Sequence, residues 1–156
     1  MASGFIIASI IFTTFLYLMV LVISGITEAS LWHLNSFLPM NKENNKKLHS
    51  LWVTQRTLFG LLTIIPTIIF CVYFGQYLIM ILYPIALWLM HPFFHLGSMY
   101  EQRRELNPFI EDYEKGWKSD PSSTSESKIN IPYLARVYFM IFGLFIWVLC
   151  ILIALL

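Results

Sequence analysis

Two histidines four residues apart, His91 and His95, have the spacing in this sequence that most directly suggests chemistry. On an α-helix, a separation of four residues places both imidazoles on one face. A carboxylate, Glu28, lies at the end of another apolar segment. Two imidazoles and one carboxylate form a ligand set that zinc or non-haem iron can use. The pattern therefore makes Glu28, His91 and His95 candidate metal ligands.

Haem is a second candidate cofactor. Bis-imidazole ligation between helices takes one histidine from each of two facing helices. His91 and His95 share one predicted helix, and the two remaining histidines, His33 and His49, lie near the first polar connection. Neither of these two is well placed to reach the depth of His91 and His95. The cofactor is thus unknown from the sequence, with a metal ion or haem as the candidates.

A group of cationic and amide side chains forms a second candidate site, for an anionic ligand or a lipid headgroup. Its members are Gln55, Arg56, Arg103, Arg104 and Arg136. Arginine recognises phosphate and carboxylate through paired N–H donors, and basic clusters beside a membrane attract anionic headgroups. A structural alternative is that Glu28 pairs with Arg56 or Arg136 and holds the helices together. Arg103 and Arg104 could likewise pair with Glu101 and Glu105 on their own helix.

The elements that must position these residues are four apolar segments. Of the 156 residues, 58% are hydrophobic and only 12% are charged, whereas about 25% are charged in ordinary soluble domains. A run of about 20 apolar residues spans a membrane core. Four such runs occur, at about residues 5–27, 51–74, 77–96 and 131–156. The sequence predicts a single membrane domain, residues 1–156, that is all-α, a polytopic integral membrane protein built as a four-transmembrane-helix bundle.

The positive charges predict the orientation of this bundle. All ten Lys and Arg residues lie in or beside the first and third connections, and the second connection at Gly75 and Gln76 has none. Because Lys and Arg favour the cytoplasmic side, the loops at about 36–50 and 98–130 are predicted to be cytoplasmic. Both termini are then non-cytoplasmic, in a multi-pass protein of the plasma or inner membrane.

The two charged connections differ in predicted structure. The first is polar and rich in Asn and Lys, which predicts a solvated loop with Ser50 capping the second helix. In the third, residues 98–106 are strong helix formers and should extend the third helix. Phe109, Tyr113 and Trp117 then recur every four residues. This spacing predicts a short interfacial cytoplasmic helix with its aromatic side chains in the headgroup layer.

Four smaller observations concern sequence motifs, the form of a possible site or pore, and the cysteines. Neither a G-x-S-x-G turn nor a phosphate-binding glycine loop is present. The ionisable residues gather near the predicted cytoplasmic side, which favours a one-sided pocket over a pore. An oligomeric pore lined by threonines stays open as an alternative; its candidates are Thr13, Thr14, Thr63 and Thr67. Cys71 and Cys150 are predicted to be small apolar residues rather than a disulfide.

The predicted function follows from these features. We expect a small four-span membrane protein of unknown specific role, whose polar His/Glu/Arg cluster is structural or binds a ligand. The alternative is an enzyme: either one that depends on a metal or haem, or one that binds an anionic or lipid substrate at the cytoplasmic face. Membrane lipids are the predicted partners, a homo-oligomer or a membrane-complex partner is open, and nothing indicates nucleic acid.

Overall fold

The computed structural model describes residues 2–36, 42–106 and 131–156, and the regular structure in these ranges is helical throughout. The elements are α1 (Ala2–Ser36), α2 (Lys42–Tyr73), α3 (Tyr77–His91), a π-helical turn (Pro92–Leu96), α4 (Gly97–Leu106) and α5 (Tyr133–Leu155). The π-helical turn joins α3 directly to α4. These three elements therefore form one long helical segment.

Among the described residues, four helical segments are long and apolar enough to cross a membrane, which agrees with the predicted number. They are Ser3–Leu31, Ser50–Tyr73, Tyr77–Leu106 and Tyr133–Leu155. Large apolar side chains point outward along them; Phe5, Trp88 and Phe145 are 61%, 71% and 64% exposed. In water such a surface promotes association. In a membrane it would contact lipid tails, which are as apolar as these side chains.

The start of α2 differs from the predicted boundary, whereas the end of the third helical segment agrees with it. α2 begins at Lys42, so the predicted loop is helical from that residue and Ser50 lies inside the helix instead of capping it. Lys, Glu and Leu in this stretch favour helix, which lets α2 continue beyond its apolar part. The predicted extension of the third helix is confirmed, because α4 reaches Leu106. The predicted interfacial helix, with Phe109, Tyr113 and Trp117, lies outside the described residues.

A tight turn at Gly75 joins α2 to α3. Gly75 has φ 69°, a left-handed conformation that glycine adopts without a Cβ penalty. Its N–H donates to the Val72 carbonyl at 3.2 Å, and the Gln76 N–H donates to the Cys71 carbonyl at 2.7 Å. This is the Schellman arrangement, which satisfies carbonyls at the end of α2. The glycine therefore ends α2 and starts α3 within three residues.

The helices do not pack mainly along this hairpin. The most extensive contacts join α3 to α5, α1 to α2, and α1 to α4, and the contact of α2 with α3 is smaller. Gly143 lets α5 approach α3 closely, because a Cβ there would lie 2.8 Å from the Ala86 carbonyl oxygen. Cys71 and Cys150 are buried and not bonded to each other. Among the helices, α1 is the central one, because it contacts every other helix of the described part of the chain.

A hydroxyl network, which the sequence analysis did not predict, links all four long helical segments. Thr13 Oγ1 lies 2.7 Å from Thr67 Oγ1 on α2 and 2.7 Å from the Tyr83 hydroxyl on α3. The Trp147 indole N–H on α5 donates to Thr14 Oγ1 at 2.8 Å. Thr13, Thr14 and Thr67, which the sequence offered as pore-lining residues, are buried inside a single chain. Thr13 bonds to Thr67, and both Thr13 and Thr14 bond to Tyr83. They are interior contacts between helices.

Tyr83→Phe tests the contribution of this network. The substitution removes a fully buried hydroxyl that contacts Thr13 and Thr14. We expect the free energy of unfolding in detergent to fall by about 1–2 kcal/mol, the scale of a buried interhelical hydrogen bond. Tyr138→Phe, at a 62% exposed position, is the control and should have no effect. Equal stability of the two variants would mean that the network adds nothing to the fold.

Candidate functional site

The π-helical turn brings His95 into the interior. Pro92 opens this turn, and Pro lacks the N–H that a regular helix needs at that position. His95 is 3% exposed, whereas His91 is only half-buried. The two rings lie 5.3 Å apart between centroids and are tilted by 43°. The predicted shared face is thus present, but the two histidines have different surroundings.

His95, Glu28 and Arg56 meet to form a buried polar cluster. Arg56 Nη1 lies 3.3 Å from Glu28 Oε2 and also contacts His95 Nε2. His95 Nε2 lies 3.2 Å from the same carboxylate oxygen. Because Nη1 carries two hydrogens, one arginine nitrogen can donate to both neighbours. The cluster joins α1, α2 and the π-helical turn.

The other nitrogen of His95 fixes the orientation of the ring. His95 Nδ1 lies 3.3 Å from the Leu21 carbonyl oxygen. A carbonyl only accepts hydrogen bonds, so Nδ1 carries the proton in this contact. In the neutral ring Nε2 is then the acceptor for Arg56. The side chains of Arg56 and Glu28 are only 14% and 7% exposed, and their opposite charges balance each other.

Gly25 makes this arrangement sterically feasible, and the sequence analysis did not identify it. A Cβ at Gly25 would lie 2.5 Å from the His95 carbonyl oxygen and 2.2 Å from Ser98 Oγ. α1 therefore approaches the π-helical turn and α4 more closely than any side chain at this position would permit. The only available signal was an isolated glycine inside a helical pattern, which often marks a close packing contact.

The candidate metal ligands come together only in part. Glu28 and His95 are adjacent, but the two atoms that would bind a metal ion, Oε2 and Nε2, both contact Arg56. The positive charge of the guanidinium repels a metal cation at that position. Across the described ranges, no three His, Cys, Asp or Glu side chains are grouped so that they could hold a metal ion. His91 and His95 also remain on one helical segment, so neither provides the facing helix that bis-imidazole haem ligation requires.

The candidate anion-binding residues are divided among three places. Gln55 is exposed and lies beside Arg56 at a groove between α1 and α2. Arg136 lies apart from this group, near Tyr100 and Tyr133. Arg103 and Arg104 are on α4, the first half-buried and the second exposed, and neither lines the groove between α1 and α2. Glu28 thus pairs with Arg56, and not with Arg136.

The groove between α1 and α2 has a volume of about 290 Å³. Its polar residues are Ser24, Thr27, Glu28, Gln55 and Arg56, and its apolar residues are Val20, Ile23, Trp52 and Phe59. Ile23, Gln55 and Phe59 are exposed, so the groove opens on the outer surface of the helices.

Comparisons of the chain with known protein families, curated proteins and solved structures gave no significant match.

Proposed function

We propose that this chain is an integral membrane protein that crosses the membrane four times and binds an amphiphilic molecule in the groove between α1 and α2. The four long apolar helices and their apolar outer surface support the membrane assignment. The distribution of Lys and Arg supports a bundle with both termini on the non-cytoplasmic side. In this orientation the polar cluster lies in the cytoplasmic part of the membrane.

The observation that carries the binding proposal is the two-part lining of the groove. Arg56 and Gln55 supply N–H donors at one end, and Ile23 and Phe59 supply an apolar wall. A volume of about 290 Å³ lies near the lower limit of ligand pockets, which is about 300 Å³. The groove therefore accommodates the polar head of an amphiphile, and its apolar tail extends into the lipid.

The charge balance of the site favours a ligand without net charge. Glu28 neutralises Arg56, so an anionic head would be repelled by the carboxylate as much as it is attracted by the guanidinium. Within the described part of the chain, the bonds of Arg56 all use Nη1, which leaves Nε and Nη2 for a ligand. Ester carbonyl, hydroxyl and zwitterionic groups accept hydrogen bonds from such donors. A neutral or zwitterionic lipid is the ligand class that fits best.

The buried cluster serves this site as a structural support. His95 and Glu28 hold Nη1 of Arg56, so the guanidinium is fixed before a ligand arrives, which lowers the entropic cost of binding. The alternative of a metal- or haem-dependent enzyme has less support, because the potential ligand atoms of Glu28 and His95 already contact Arg56. Elemental analysis and an optical spectrum of the purified protein, compared with the His91→Ala/His95→Ala double variant, distinguish the two proposals.

Two threonines provide a matched test of the groove. Thr27 and Thr57 are both exposed, and each hydroxyl donates at 2.8 Å to the carbonyl four residues earlier. Thr27 lines the groove and Thr57 does not. We expect Thr27→Phe to weaken binding of dioctanoyl glycerol and dioctanoyl phosphatidylcholine at least about tenfold, a loss of about 1.4 kcal/mol, because phenylalanine fills the groove.

Native mass spectrometry of the full chain in detergent measures both lipids. Thr57→Phe should bind them as the unsubstituted protein does, because it adds the same bulk outside the groove. If the two variants bind equally well, the groove is not the site of binding, and the proposal fails. A stoichiometric metal that is lost on substitution of His91 and His95 would instead support the enzyme alternative.

A further inference from the structure

Arg136 is a buried cation on the opposite side of α1 from the groove. It is the fourth residue of α5 and only 2% exposed. It lines a second cavity of about 290 Å³ together with Val22, Phe93, Phe94, Ser98 and Tyr133 among others. This cavity is formed by α1, the π-helical turn, α4 and α5. It shares no lining residue with the groove between α1 and α2.

Arg136 forms no ion pair with a carboxylate in the described part of the chain. Its guanidinium carbon lies 5.1 Å from the centroid of the Tyr100 ring and 5.6 Å from that of the Tyr133 ring. Its Nε is buried and has no hydrogen-bond partner there. Aromatic faces attract a cation, but they do not accept the N–H hydrogen bonds of a guanidinium as an oxygen does. Buried charges are ordinarily paired.

We infer that the Arg136 cavity binds the anionic phosphate of an acidic lipid. Arginine binds phosphate through two parallel N–H donors, which would satisfy the buried Nε. Phe93, Phe94 and Val22 form an apolar wall for the adjoining acyl chains. Arg136 also lies at the start of α5, near one end of a candidate span, where headgroups are found. Arg56 differs from Arg136 because the carboxylate of Glu28 already balances its charge.

Glu101 is the one acidic residue among the described residues that line this cavity. It is exposed, whereas Arg136 is buried, so the carboxylate lies at the outer part of the cavity. A carboxylate there repels an incoming phosphate. Glu101→Gln should therefore tighten binding of an acidic lipid about threefold, and it leaves Arg136 in place. This inference goes beyond the neutral-lipid site and uses different residues.

The test is a calorimetric titration of the detergent-solubilised full chain with three probes: dioctanoyl phosphatidic acid, dioctanoyl phosphatidylcholine and inorganic phosphate. We expect phosphatidic acid to bind the unsubstituted protein at least tenfold more tightly than inorganic phosphate. Arg136→Gln should lower the affinity for phosphatidic acid at least tenfold and leave that for phosphatidylcholine unchanged. Arg136→Lys should give an intermediate loss, because lysine keeps the charge but lacks the paired donors.

Stability without lipid gives a second readout. If Arg136 serves a ligand, the buried charge is uncompensated in the free protein, and Arg136→Gln should raise the unfolding temperature. A purely structural role, in which the two tyrosine rings hold the arginine, predicts a lower unfolding temperature. A failure of Arg136→Gln to fold would therefore overturn the inference.

Three further outcomes would contradict the lipid site. These are unchanged phosphatidic acid binding in Arg136→Gln, no tightening in Glu101→Gln, and equal affinity for inorganic phosphate and phosphatidic acid. The last result would identify a site for free anions. Thr27→Phe separates this inference from the proposed function, because it should abolish the groove site and leave phosphatidic acid binding intact.

Discussion

Replacing Arg56 with methionine is expected to lower the free energy of unfolding by about 3–5 kcal/mol, the range found when one partner of a buried ion pair is removed. Methionine retains much of the length of arginine but removes the charge that faces Glu28. The substitution also removes the donor that His95 Nε2 contacts. Both effects act on the contact between α1, α2 and the π-helical turn. Unfolding in detergent, followed by tryptophan fluorescence, measures the loss.

A double-mutant cycle, with Glu28→Gln and Arg56→Met as the single variants, shows whether the loss comes from the ion pair. The Glu28→Gln/Arg56→Met double variant removes both charges and should be more stable than Arg56→Met alone, because no unbalanced charge remains in the interior. The neighbouring substitution Gln55→Met, at an exposed position, should change stability by less than about 0.5 kcal/mol. If Arg56→Met behaves like Gln55→Met, the cluster does not hold the helices together.

Gly25→Ala is the second large expected effect. The new Cβ would lie 2.5 Å from the His95 carbonyl oxygen and 3.0 Å from the Met99 backbone nitrogen. Backbone atoms cannot rotate away as a side chain can, so α1 must move from the π-helical turn and α4. We expect a loss of about 3 kcal/mol, at the upper end of the overpacking range. Gly25→Leu should prevent the folded state from forming.

The same chemical change at Gly97 provides the control. A Cβ there meets no atom within 4 Å beyond its chain neighbours and the backbone of its own helix, and Gly97 has φ −58° in the helical range. Gly97→Ala should therefore stabilise the protein by about 0.5–1 kcal/mol, because alanine loses less backbone entropy on folding. We therefore expect Gly25→Ala to lower the free energy of unfolding and Gly97→Ala to raise it. If both substitutions stabilise the protein, α1 does not approach the π-helical turn as closely as described.

Gly25→Ala also tests how the lipid groove depends on the buried cluster. Displacement of α1 from His95 would separate Leu21 and Glu28 from the histidine ring, and Arg56 would lose its fixed position. We therefore expect lipid affinity in the groove to fall together with stability in this variant. Thr27→Phe, by contrast, should weaken binding without destabilising the protein. The two variants therefore distinguish disruption of the buried polar cluster, which holds Arg56, from obstruction of the groove itself.

The polar residues show where sequence reasoning succeeded and where it did not. The sequence offered Arg56 as one of two possible partners of Glu28, and Arg56 Nη1 lies 3.3 Å from Glu28 Oε2. The sequence could not choose between Arg56 and Arg136 as the partner of Glu28, since that choice depends on which helix faces α1. The sequence offered Thr13 only as a candidate pore-lining residue and gave no reason to pair it with Tyr83, because hydroxyls are common in apolar helices and acquire significance only when they meet.

The amino-acid pattern alone predicts the four long apolar helices of the described part of the chain and the continuation of the third helix to Leu106. These are local properties: helix length follows from hydropathy and a rise of about 1.5 Å per residue, and side-chain spacing follows from the helical period. The arrangement of the helices was needed to establish that α3 packs on α5, that Gly25 meets the His95 carbonyl, and that Arg136 lies apart from Glu28. The physical reason is that these contacts join residues distant in sequence, and their choice depends on the fit of whole helix surfaces.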